Sequence, residues 1–237
     1  MRKELRLLGK RLAKLSVVLS LIFSAMAMGF NLWGSWALPG LTESLAEVAM
    51  ERGQRREAAG NLEEARDFYE QALSGAFHGE ANRNHCEKRL GVVLYKLGDF
   101  AGALPYLERA QTGPHRSLNG FGPLVDVLMA LERWGDAEQE AERWWTESEG
   151  DPANLANACQ ALGRIALHEG DPDGAQGHFQ EAIGLDTMHP ARADLARVPA
   201  ARGDIAKARK MMVAYLAAAP PDEHTAENWA LLELWMR

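Results

Sequence analysis

The chain has 237 residues, 47% of them hydrophobic and 25% charged, with a formal net charge of −7. That length suits one large domain or two small ones, and the composition is that of a folded protein and not a disordered tail. Two cysteines exclude a disulfide scaffold and a four-cysteine zinc site, and the acidic balance weighs against a nucleic-acid binder, which needs clustered Lys and Arg.

The charge is unevenly placed. Residues 1–14 carry six basic side chains against the single acid Glu4, a net of +5, and residues 15–42 then contain no charged side chain. Within that run, Leu15–Trp36 is long enough as a helix to cross a bilayer, at roughly 33 Å. Trp33 and Trp36 stand at its far end, where indoles favour the headgroup layer, and Pro39-Gly40 ends the helix. The sequence therefore predicts a basic cytoplasmic flank over 1–14 and a transmembrane anchor over 15–38. The rest of the chain falls on the periplasmic or extracytoplasmic side. A cleaved signal peptide is the other reading, because Ala25-Met26-Ala27 has the small-x-small form of a cleavage site. The apolar run continues well past Ala27, which favours retention. Ser16, Ser20 and Ser24, continued by Ala27, form a row of small residues at helical spacing, a candidate face for packing a second membrane helix. Tolerated serines bonding back to their own helix are the alternative.

Beyond Leu41 the pattern is helical, with no sustained alternation of β-branched residues. A motif recurs: Gly60-Asn61 with Ala65, Gly98-Asp99 with Ala103, Gly170-Asp171 with Ala175, and Gly203-Asp204 with Ala208. Each alanine is followed four residues later by a large residue: Tyr69, Leu107, Phe179 or Met212. A degenerate copy has Ala137, Ala141 and Trp144, with Glu132 in place of the glycine. In two copies Leu90-Gly91 and Leu162-Gly163 stand seven residues before the turn glycine; the first copy has Arg52-Gly53 instead.

These residues resemble tetratricopeptide repeats, whose unit of about 34 residues forms two antiparallel helices. The resemblance implies an all-α helix-turn-helix solenoid of about five repeats over 42–220. The segment 222–237 forms a C-terminal capping helix with Trp229, Leu232 and Trp235–Met236 on one face. Pro199 is expected to kink the first helix of the last repeat. Marker spacings of 38 residues suggest longer loops near Ser74–Arg83 and Glu147–Pro152.

No metal-site or nucleophile motif is present, so no cofactor, metal or small-molecule substrate is expected and an enzyme is disfavoured. His85-Cys86-Glu87 reads as a solvated histidine beside a buried thiol, and Cys159 as core. In the repeat family the first helices line a concave groove. Transferred to this chain, the groove positions include His85, Lys88, Val92, Tyr95, Asn119, Asp126, Asn157, Gln160, Arg164 and His168, with Arg197 beyond. Such a mixture suits an extended peptide held by side-chain amides. The family's carboxylate clamp needs Asn four residues after Lys; here Val92 follows Lys88, so the clamp is not supported. The implied partners are proteins of a membrane or the periplasm, served by a scaffold or assembly factor. A permanent accessory subunit held through the membrane helix is the alternative.

Overall fold

A computed structural model describes residues 45–112, 115–218 and 223–237. The expected flank and anchor, with the serine row at 16, 20 and 24, lie outside them. Among the described residues no helix is long and apolar enough to cross a membrane, and none forms a strand.

The helices run in chain order as α1 (45–58), α2 (Leu62–Leu73), α3 (Glu80–Lys96), α4 (Phe100–Ala110), a 3-10 turn Leu118–Gly120, α5 (Phe121–Ala130) and α6 (Trp134–Glu147). They continue with α7 (Pro152–Glu169), α8 (Pro172–Leu185), α9 (Ala191–Leu195), α10 (Arg197–Ala201), α11 (Ile205–Leu216) and α12 (Glu223–Met236). Each packs chiefly on near neighbours in sequence: α3 on α2 and α4, α7 on α6 and α8, and α11 on α10 and α12. This nearest-neighbour pattern defines a solenoid of five helix pairs closed by α12.

The recurring glycine ends each first helix in the left-handed region, as at Gly170 with φ 81°. The following aspartate then caps the second helix. Asp99 accepts from the amide of Gly102, Asp171 from those of Asp173 and Gly174, and Asp204 from that of Lys207. Asn61, at the equivalent place, makes no such bond. In the degenerate copy Glu132 adopts φ 57° without being glycine.

Between the paired helices a size rule recurs sixteen residues apart. Gly53 faces the ring of Tyr69, Gly91 faces Leu107 and Gly163 faces Phe179, each so closely that an added Cβ would stand at 2.4–2.7 Å from the partner. Where the third repeat puts Val125 in the glycine's place, the opposing residue shrinks to Ala141; the fifth combines Ala196 with Met212. All these partners are buried. Volume is conserved across the crossing although the residues are not. Arg52-Gly53 therefore keeps the functional half of the Leu-Gly pair.

Three expectations need correction. The helix containing Pro199 does not merely bend but divides into α9 and α10, because proline has no amide to bond the Leu195 carbonyl and its ring crowds that oxygen. The extra residues of the 38-residue spacings go largely into α3 and α7 instead of loops, while the longest link precedes the short α5. On α12 the buried face runs through Asn228, Leu232 and half-buried Trp235, whereas Trp229 and Met236 are 50% and 61% exposed. Packing against Met212 and Leu216 of α11 selects that face.

The buried side chains form three clusters. One spans α1 to α7 around Tyr69, Leu107, Phe121 and Trp144; a second joins α7, α8, α9 and α10 around Phe179; a third joins α9, α11 and α12 around Met212.

Candidate functional site

Five of the predicted groove residues converge on one cleft of about 360 Å³: Asn119 from the 3-10 turn, Asp126 from α5, and Asn157, Gln160 and Arg164 from α7. The spacing of the last three puts them on one helical face. Gly122, Pro123, Ala161 and Pro190 supply apolar wall, and Trp144 and Asn154 complete the lining.

Most of these polar groups are held by partners about one repeat away. Arg164 Nε donates to Asp194 Oδ2 at 2.9 Å and Gln160 Nε2 donates to the same oxygen at 2.6 Å. Arg197 Nε pairs with Asp194 Oδ1 at 3.4 Å. Asp194 is 1% exposed, so its charge depends on these two guanidinium groups. Loss of solvent disfavours the charge on Arg164, but the carboxylates of Asp194 and Asp126 outweigh that and keep it protonated.

Asn157 Oδ1 lies 3.0 Å from His189 Nε2. The other nitrogen of that ring, Nδ1, accepts the Ala191 amide at 3.2 Å, so Nε2 carries the proton and donates to Asn157. Burial pushes the His189 pKa down. Tyr95 donates to Asp126 Oδ2 at 3.4 Å, and burial together with that carboxylate raises its phenol to about 12. Trp144 Nε1 donates to Asn154 Oδ1 at 3.3 Å, while the Asn154 amide nitrogen is held by Asp151. The result is a wall of amides with preset orientation and one compensated charge cluster.

The other predicted groove residues have different surroundings. Lys88 Nζ donates to Ser117 Oγ at 3.0 Å, tying α3 to the link before α5. His85 is half-buried and not solvated as expected; its Nε2 lies 3.1 Å from Gln54 Nε2 and accepts from it. Burial lowers its pKa, with Lys88 and Arg89 adding to the effect. Val92 packs against the first core. The His168 ring stacks on Trp134 at 3.6 Å between centroids, outside the cleft, and Arg197 reaches the site only through Asp194. Cys86 and Cys159 are buried and free, as expected, and burial raises both thiols to about 12. Among the described residues no group of three or more His, Cys, Asp or Glu side chains could hold a metal ion.

Sequence reasoning missed Asp194, His189 and Asn154. A signal was present for the first two: Gln160–Asp194 and Asn157–His189 are separated by 34 and 32 residues. Polar side chains one repeat apart on first helices are neighbours in a solenoid.

A family model described as Tetratricopeptide repeat matches residues 189–212, which span α9, α10 and part of α11. No curated protein gives a match. Among solved structures, a thermophilic TPR protein of Thermus thermophilus is similar at 20% identity and TM-score 0.61, covering 80% of this chain and 99% of that one. MamA of Desulfovibrio magneticus is similar at 18% identity and TM-score 0.60, covering 74% and 96%. YrrB, described as a TPR protein with an unusual peptide-binding site, is similar at 20% identity and TM-score 0.53, covering 76% and 89%. The fold is that of a tetratricopeptide-repeat solenoid, and residues 189–212 match the repeat model itself.

Proposed function

We propose that this protein is a membrane-tethered interaction scaffold or assembly factor that holds an extended segment of a client protein in the cleft between α5 and α7. The tetratricopeptide-type fold suggests protein–protein interaction. The observation that carries the finer reading is the convergence of Asn119, Asp126, Asn157, Gln160 and Arg164 on one cleft. Amide side chains can pair with both the N–H and the C=O of a peptide backbone, so a wall of them suits an extended strand without demanding a particular sequence. YrrB, with its unusual peptide-binding site, offers a precedent in the same fold. Residues 15–38 would tether the cleft beside membrane clients and raise its effective concentration there.

The test is a photo-crosslinker at position 157 in the full chain, followed by identification of the captured protein. Capture that is lost in Asn119→Ala, with an unchanged melting temperature, supports the cleft. Capture that survives this substitution, or a partner crosslinking only outside the cleft, overturns the assignment. The row of Ser16, Ser20 and Ser24 favours the second reading, a permanent subunit. Leucine at all three positions would then release the complex, while client capture through the cleft would persist on the first reading.

A further inference from the structure

The opening helix of the solenoid has an outer face that its packing leaves uncovered. Leu45, Val48, Arg52, Arg55 and Arg56 fall on one side of α1, and Ala59, just past its end, continues that side. Leu45 is 66% and Val48 41% exposed, and all three arginines are exposed. The arginines and Ala59, with half-buried Phe68 of α2, line a cavity of about 400 Å³. Apolar residues at the leading end and guanidinium groups behind them make the pattern of a helix that rests on a membrane surface.

The cavity has spare positive charge. Arg52 has no ion pair among the described residues. Arg55 pairs with Glu51 at 3.3 Å and Arg56 with Glu64 at 3.1 Å, both in exposed settings. Exposed pairs of this kind contribute little, so they are readily exchanged for a phosphate, which a guanidinium binds through two parallel hydrogen bonds. Position in the chain identifies the source of that phosphate. Leu45 follows Leu38, the end of the expected span, by seven steps of chain, which reach at most roughly 25 Å. On the membrane-tethered reading, on which this inference rests, α1 cannot move far from the headgroups.

We infer that the outer face of α1 is a docking surface for an anionic lipid bilayer, with Leu45 and Val48 entering the interface and the Arg52, Arg55 and Arg56 cavity holding a phosphate-bearing headgroup. This contact orients the solenoid on the membrane, where the anchor alone would leave it free to swing.

The experiment places an environment-sensitive fluorophore on Val48→Cys in the full chain; the native Cys86 and Cys159 are buried. The protein is mixed with vesicles of phosphatidylcholine alone or with added phosphatidylglycerol, and compared with a variant carrying Arg52→Gln, Arg55→Gln and Arg56→Gln. Flotation with pure phosphatidylcholine reads the anchor separately, so its failure would count against tethering and not against α1. The expected result is a blue shift that depends on phosphatidylglycerol, weakens with salt, and falls at least about fivefold in the triple variant. Equal emission in both vesicle types, or a shift retained in the triple variant, overturns the inference. So does inorganic phosphate in solution reproducing the shift, which would make the cavity a site for free anions.

Discussion

Phe179 occupies the space that a side chain on residue 163 would need: a Cβ there would stand 2.4 Å from its Cε1 and 2.6 Å from its Cδ1. The crossing of α7 over α8 is thus set by the absence of a single carbon.

Gly163→Ala should lower stability by about 1–3 kcal/mol, because the helices must separate or the ring must leave its rotamer. Gly177, on the exposed side of α8, has nothing within 4 Å of an added Cβ. Gly177→Ala should raise stability by about 0.5–1 kcal/mol through helix propensity alone. Thermal melts of the two variants should move in opposite directions; a parallel fall would refute the close-approach account.

Glu132 is the one non-glycine residue with positive φ among those described. Holding it there costs about 1 kcal/mol, which Glu132→Gly should recover. Urea unfolding should show a higher midpoint at unchanged slope. A lower midpoint would mean that its side chain contributes more than the backbone strain costs.

Removing Arg164 leaves Asp194 nearly fully buried with only the 3.4 Å contact to Arg197 and the Gln160 amide. Arg164→Met should therefore destabilise the chain by about 3 kcal/mol, and Arg164→Met combined with Asp194→Leu should restore much of the loss. Equal melting temperatures for the two variants would count against the charge argument.

The folded state keeps His189 neutral, burial being the main cause, with Arg164 adding to it against the opposing pull of Asp186 and Asp194. Its folded pKa lies below the ordinary value of 6.5. The unfolded chain therefore binds the extra proton first, and stability present above pH 6.5 is lost as pH falls toward the folded pKa. His85 acts in the same direction. Denaturation across this window should show a decline that is smaller in His189→Gln; an identical slope would remove His189 as a contributor.

Repetition made much of this fold legible. The turn glycines, capping aspartates and marker alanines are local chemistry repeated at one period, so each copy corroborates the others. The same logic reached Asn157, Gln160 and Arg164, which are consecutive positions on one helical face. It failed where a residue's role depends on another repeat. Asp194 looks like any exposed acid until Arg164 and Gln160, 30 and 34 residues earlier, are set beside it. Likewise Trp229 outranks Asn228 in hydrophobicity, yet the contour of α11 buries Asn228.

The cleft lies across a seam. Asp126 and Trp144 belong to elements of the first core, whereas Pro190 and the buried Asp194 belong to the segment that starts the last repeat, whose apolar packing is shared with the second and third. In a chain stabilised by neighbour contacts, such a seam lets the end segment fray independently. A peptide lying across it would act as a splint, so that occupancy would register as slowed amide exchange in α9, α10 and α11, well beyond the residues it touches.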